Sequence, residues 1–366
     1  MNNNKILLVT TEFPPQPGGI GNHAYNLANQ LQFQNYLVTV LTDNRSNKGI
    51  EEFEFDLKNT FLIKRIKIRS PRFLMYFKRL RLLFSEINSN DIIIASGKFS
   101  LWMVAFASLF YKKKYLAVIH GSEVNFQQKT LHYLVEKSLQ QFDKIIAVSN
   151  FTKSLLSEKL KKRTQVIPNG FGQDILIKKA LSNPLKGNPK LLTVGNVTTR
   201  KGQLNVIKML PKVLKTFPDV HYHCIGLPSQ KEEFLEKAKQ LGVENQLTFH
   251  GRVSDGELVP FLQNSDIFVM LSDTNKEGDI EGFGIAILEA NYFGKPAIGS
   301  LNCGIEDAIV NGKTGYLIHN RDSEAMVKAI VEILDNYSHF SEHSKQWAAQ
   351  HQWEKIIEKY LKTLEF

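Results

Sequence analysis

The sequence predicts an α/β protein made of two Rossmann-like, doubly wound domains. Short, near-continuously apolar runs alternate with helical segments, as parallel strands buried on both faces require. A turn-rich stretch interrupts that rhythm midway, and glycine-bearing loops follow strand after strand. At 366 residues the chain is long enough for two full hydrophobic cores.

In the first half, residues 5–10, 37–42, 91–95, 115–119 and 144–148 read as strands, with helices at 22–33, 101–111 and 130–141 between them. Residues 182–189, Ser-Asn-Pro-Leu-Lys-Gly-Asn-Pro, read as a linker, which divides the chain into domains at 1–180 and 188–342. A second strand series follows at 191–194, 220–225, 246–249, 266–271, 296–299 and 315–318, and a helical tail runs over 341–364. Two such domains are expected to face each other across a cleft, with ligands beyond the carboxyl ends of the strands.

Composition narrows the function classes. Cys224 and Cys303 are the only cysteines, too far apart for ligand spacing, so a zinc site or disulfide framework is not expected and a reducing compartment is. The start reads as a buried strand and not as a signal peptide. The longest apolar run, 99–111, falls short of the roughly 20 residues a spanning helix needs. Net charge is +10, unevenly spread: 26 lysines and arginines face 13 acids through residue 185, against 20 and 23 afterwards. The first half is therefore expected to meet an anionic surface or substrate.

Several motifs carry chemistry. Glu281-Gly282-Phe283-Gly284-Ile285 leads into an apolar helix containing Glu289 and ending at Gly294 and Pro296. A turn at a helix N-terminus suits an anion, and Glu289 can accept hydrogen bonds from a pair of sugar hydroxyls. The competing reading of Glu281 and Glu289, with Asp279, is a magnesium site. Gly195-Asn196 follows a strand and leads to Arg200-Lys201-Gly202; two cations before a helix are what a diphosphate leaving group needs. His120 closes another strand, and Arg252-Val253 follows a third, where backbone can edge a nucleobase or simply turn. Gly19-Ile-Gly21-Asn-His-Ala24, with Asp43 beyond it, matches a dinucleotide fingerprint on paper. The proline-rich loop at 11–18 is too long and stiff for that role. Gly18 and Gly19 are expected instead near a substrate phosphate or acceptor.

Between 64 and 84 lie eight cations with no acid among them: Lys64, Arg65, Lys67, Arg69, Arg72, Lys78, Arg79 and Arg81. After Pro71 they are expected to line a basic, amphipathic helix that contacts anionic lipid. The alternative is a surface helix with a basic face. No nucleic-acid module is present, so a nucleic-acid partner is not expected.

Taken together, Glu281-Gly-Phe-Gly-Ile with Glu289-Ala, Gly294-Lys-Pro296, Gly312-x-Thr-Gly315, the early Pro-Pro-x-x-Gly-Gly, Val166-Ile-Pro-Asn-Gly170 and Arg200-Lys-Gly202 resemble glycosyltransferase family 4 along nearly the whole chain. The resemblance implies a GT-B fold and a retaining, metal-independent transfer of sugar from a UDP- or GDP-sugar to an acceptor, with no cofactor. It assigns Glu289 to the ribose, Glu281 to the donor sugar, the N–H groups of Phe283, Gly284 and Ile285 to sugar and phosphate, and Lys201 to the diphosphate. It places His120 opposite the sugar and 343–366 as a terminal helix returning to the first domain. Asn196 stands where the family commonly has arginine, with Arg200 the substitute at hand. Combined with the basic stretch, the expectation is a cytoplasmic enzyme at the inner face of the plasma membrane, extending a lipid-linked glycan. A sugar-nucleotide epimerase, a nicotinamide dehydrogenase and a non-catalytic sugar or lipid binder are the rivals.

Overall fold

A computed structural model describes residues 4–46, 48–67, 72–172, 185–275 and 278–365. The chain forms two units, Met1–Gly170 with Trp353–Phe366, and Phe171–Gln352. The first unit carries seven parallel strands in the spatial order Leu62–Lys67, Leu37–Asn44, Lys5–Thr10, Ile92–Ser96, Lys114–Ile119, Lys144–Ala147 and Thr164–Val166. The central strands are buried at nearly every position, which explains their unbroken apolar sequence. Helices cover them, and the core runs through Leu7, Ile93, Leu101, Ala117, Leu139 and Ile145.

The second unit repeats the plan with six parallel strands, ordered Leu247–Gly251, His221–Ile225, Lys190–Val194, Ile267–Met270, Ala297–Ser300 and Gly315–Ile318. Its core includes Leu191, Val206, Tyr222, Phe234, Val269 and Ile330.

Three elements differ from expectation. Leu62–Lys67 is a strand inside the basic stretch, sitting at the sheet edge where charged side chains are tolerated. Thr164–Val166 adds a further short strand. The helical tail is two helices, Tyr337–Ala349 in the second unit and Trp353–Leu364 in the first. The break between them pairs with backbone far back in the chain: Phe171 N–H donates to the His351 carbonyl at 3.1 Å, and Phe171 forms a β-bridge with Gln352. Three of the expected linker's eight residues, 182–184, lie outside the described residues.

The helix Arg72–Ile87 turns part of the basic stretch inward. Met75, Arg79, Leu83 and Ile87 recur every fourth residue and form its buried stripe. Arg79 is 4% exposed, and its guanidinium forks onto both carboxylate oxygens of Asp43, itself buried at the end of the second strand. Arg79 is therefore an interior ion pair and not a lipid contact. Arg65 is likewise withdrawn: it is bound to Asp56 through Nε at 2.8 Å and Nη2 at 2.8 Å, with a side chain 9% exposed. Lys64 pairs with Glu86. Lys67, Lys78 and Arg81 are exposed. Arg69, and the side chain of Arg72, lie outside the described residues.

Candidate functional site

In the second unit, Lys190–Val194 lies between His221–Ile225 and Ile267–Met270, so the winding direction reverses at this strand. A reversal of this kind leaves a crevice beyond the carboxyl ends of the strands. The chain leaves Val194 through a loop, makes a 3-10 turn at Thr199–Lys201 and enters the helix Gln203–Val213. Gly202 permits that path. Its φ is +82°, and a Cβ there would lie 2.0 Å from the Leu271 carbonyl oxygen, so any side chain would push the turn off the neighbouring strand end. Gln203, fully buried, fastens the loop: its Nε2 donates to the carbonyls of Gly195 (3.3 Å) and Asn196 (3.1 Å), and its Oε1 accepts from the Thr198 N–H (3.3 Å).

The turn delivers two cations to one oxygen. Lys201 Nζ donates to Glu281 Oε2 at 2.6 Å, and Arg200 Nη1 donates to the same oxygen at 3.0 Å. Burial alone would raise the Glu281 carboxyl, but the charges of Lys201 and Arg200 outweigh it and hold the group below its ordinary value. The backbone after Glu281 is fixed from the other side. Gly304 N–H donates to the Glu281 carbonyl at 2.8 Å, and a Cβ on Gly304 would lie 1.9 Å from the Gly282 carbonyl oxygen. Gly282 and Phe283 complete the turn, with Phe283 buried, and Gly284 leads into the helix Ile285–Tyr292. The first N–H groups of a helix have no partner within it, so the start at Ile285 offers donors and positive potential to an anion. Glu289 is half-buried at the fifth helical position.

Arg200, Lys201 and Glu281 are thus in direct contact, with Gly282, Phe283, Gly284 and Ile285 continuing from them. Asn196 is exposed on the adjoining loop, which uses its carbonyl as an anchor. Arg252, exposed, and Val253, half-buried, follow the edge strand Leu247–Gly251 at the carboxyl-end rim, separated from Lys190–Val194 by one strand.

The first unit has its own reversal, at Lys5–Thr10 between Leu37–Asn44 and Ile92–Ser96. Ser96 Oγ lies 2.9 Å from His120 Nε2, and the His120 N–H donates to Glu123 Oε1 at 2.6 Å. Burial pulls the His120 imidazole down to about 4, so the ring is neutral at physiological pH. Burial pushes the Glu123 carboxyl up to about 7, and its Oε2 has no partner among the described residues. Gly18 precedes the helix Gly19–Phe33, and its carbonyl accepts the Asn22 N–H at 2.9 Å. Gly19 is exposed, with open space where a side chain would stand. Asp43, the acid of the apparent dinucleotide fingerprint, is occupied by Arg79.

Gln203, Gly304, Ser96 and Glu123 carry no site role assigned from sequence. Gln203 directly follows Arg-Lys-Gly and Glu123 lies three residues after His120, so proximity was the available signal. Ser96 and Gly304 reach their partners only through the fold. Among the described residues no group of three His, Cys, Asp or Glu is placed to hold a metal ion, and no helix is long and apolar enough to cross a membrane.

Comparison with known proteins gives two family matches that together span most of the chain: Glycosyltransferase Family 4 over residues 17–172 and Glycosyl transferases group 1 over residues 176–352. An uncharacterized glycosyltransferase of Haemophilus influenzae is 26% identical over 94% of this chain and 95% of its own length. A GDP-mannose-dependent alpha-(1-6)-phosphatidylinositol monomannoside mannosyltransferase of Mycolicibacterium smegmatis is 25% identical over 90% and 89%. Among solved structures, Anabaena HepE in complex with UDP and glucose superposes with a TM-score of 0.80 at 19% identity, over 99% of both chains.

Proposed function

The chain belongs to glycosyltransferase family 4 and has the GT-B fold, and we propose that it is a retaining, metal-independent enzyme that moves a hexosyl or N-acetylhexosaminyl group from a UDP- or GDP-sugar to a lipid-linked glycan. The observation that carries this proposal is the convergence of Arg200 and Lys201 on one oxygen of Glu281, beside a helix start. Two cations about 3 Å from a single point match the charge of a nucleoside diphosphate, and they supply the stabilisation that a divalent ion provides elsewhere.

In the reaction, the bond from the anomeric carbon to the diphosphate oxygen breaks while the acceptor oxygen bonds to that carbon on the same face. The acceptor proton passes to the departing diphosphate. Lys201, Arg200 and the N–H groups of Phe283, Gly284 and Ile285 stabilise the charge that develops. Glu281 accepts hydrogen bonds from the sugar hydroxyls, Glu289 from the ribose, and His120 of the first unit contacts substrate. Support for a UDP- or GDP-linked donor comes from HepE bound to UDP and from the GDP-mannose-dependent relative.

The test is a panel of UDP-, GDP- and ADP-sugars scored by thermal midpoint, followed by turnover with lipid-linked acceptors. A donor that binds is expected to raise the midpoint by mass action, by about 2.7 kcal/mol of stability at 100 times its Kd, and to release nucleoside diphosphate only when acceptor is present. A panel in which no sugar nucleotide shifts the midpoint overturns the assignment. An altered sugar nucleotide formed without acceptor points to an epimerase.

The acceptor side is proposed to rest on the cytoplasmic face of a membrane. Lys78 and Arg81 are exposed beside Phe77, which is 69% exposed. Phe84 of the same basic helix clusters with Phe106 and Phe110, at ring distances of 6.3 and 6.0 Å, and these two are 46% and 64% exposed. Cations flanking exposed aromatics suit an anionic lipid interface. Replacing Lys78 and Arg81 together with alanine is expected to weaken binding to phosphatidylglycerol vesicles by roughly tenfold or more at low salt, and by less at high salt. Vesicle binding equal to that of the parent protein would remove the membrane from the proposal.

A further inference from the structure

The helix Trp353–Leu364 buries Trp353, Ile356, Ile357, Tyr360 and Leu364 against the first unit. One contact it makes is polar. The Tyr360 hydroxyl lies 2.9 Å from Nε2 of His23, although 337 residues separate the two in sequence. Tyr360 is fully buried, and burial pushes its phenol far up, so the hydroxyl keeps its proton. His23, 1% exposed in the helix Gly19–Phe33, stands edge-on to two rings. Its centroid is 5.0 Å from that of His120 at an interplanar angle of 79°, and 5.2 Å from that of Trp353 at 62°. Its Nδ1 has no partner among the described residues.

A histidine serving only as core filler would be a poor choice here. An unsatisfied buried nitrogen costs about 1–3 kcal/mol, which an apolar side chain of similar size avoids. What the imidazole supplies is a fixed edge. Tyr360 grips one nitrogen and Trp353 blocks one side, so the ring cannot turn. His120 is then confined between the Ser96 hydroxyl at Nε2 and the His23 ring.

We infer that His23, anchored by Tyr360 of the terminal helix, is a positioning residue that fixes the plane in which His120 meets substrate. The inference rests on the proposed contact of His120 with substrate. The terminal helix thereby acts on the reaction through a side chain that touches no substrate itself.

The test compares kcat, KM and thermal midpoint for His120→Ala, His23→Phe, Tyr360→Phe and the double variant His120→Ala/His23→Phe. His23→Phe is expected to lower kcat on the order of 10–100-fold, as displacement of a reacting group by about 1 Å does, with KM for the nucleotide sugar little changed. Tyr360→Phe, which removes a single oxygen and keeps the ring, is expected to act in the same direction more weakly, and it covers the case in which His23→Phe fails to fold. In the His120→Ala background His23→Phe is expected to cost nothing further in kcat, because residues that act as a unit are non-additive. Full kcat in a folded His23→Phe or Tyr360→Phe protein, or additive losses in the double variant, overturns the positioning role while leaving the glycosyltransferase assignment intact. Unchanged kcat in His120→Ala removes His120 from the reaction and the inference with it.

Discussion

Lys201→Ala is expected to lower kcat/KM by roughly 100- to 1000-fold, the range seen when one preorganised donor to a developing negative charge is removed. Lys201 makes the shorter of the two contacts to Glu281, 2.6 Å against 3.0 Å for Arg200, and its side chain is the less exposed, 18% against 30%. A less solvated charge acts more strongly on a leaving diphosphate. With the lysine gone, Arg200 alone opposes the burial that raises the Glu281 carboxyl, so both the stabiliser and its neighbour's ionisation are weakened. Glu281→Ala is expected to fall as well, through loss of sugar orientation. Folding should be affected little in either variant, since the cluster lies at the crevice and not in the core. Steady-state kinetics with the donor identified by thermal shift is the measurement. If both variants turn over at the parental rate, the site is misassigned.

The largest stability effect is expected at Arg79. Truncation to alanine leaves Asp43, 5% exposed, as an uncompensated interior charge and is expected to cost about 3–5 kcal/mol in urea unfolding. Lys78→Ala, one residue away and exposed, is expected to change stability by within about 0.5 kcal/mol. Burial already pushes the Asp43 carboxyl up against the pull of Arg79, so the pair is costly to maintain. Replacing both partners together, as Asp43→Leu/Arg79→Met, should therefore recover most of the loss. A folded Arg79→Ala protein as stable as Lys78→Ala would contradict the buried pair.

These two sites differ in how far the sequence displays them. Glu281, Lys201 and Arg200 stand in short motifs whose residue types announce an anion, and the strand-to-glycine context locates them at strand ends. The central strands are equally plain, because burial on both faces leaves no polar position to confuse the pattern. Arg79 is invisible by the same logic. Within 64–84 the eight cations have no acid among them, and the partner Asp43 arrives from the end of the second strand. Periodicity alone shows residues 75, 79, 83 and 87 on one face, yet a cation there reads as solvent-facing until its partner is known. Leu62–Lys67 was hidden because an edge strand need not be apolar. The interruption of the tail at 350–352 carries no glycine or proline; pairing with Phe171 imposes it. The contact from His23 to Tyr360 spans nearly the whole chain, which no local pattern encodes.

The passage of the chain from one unit to the other and back also sets a timetable for biosynthesis. Because Trp353–Phe366 belongs to the unit that begins at Met1, a ribosome must synthesise all of Phe171–Gln352 before the first unit receives Trp353, Ile356 and Tyr360. Until then, the nascent amino-terminal half carries an unfilled apolar site against the helix Gly19–Phe33, and His23 lacks its hydroxyl partner. A stop codon at Trp353 would leave the second unit's residues untouched and impair the half of the protein that was made first.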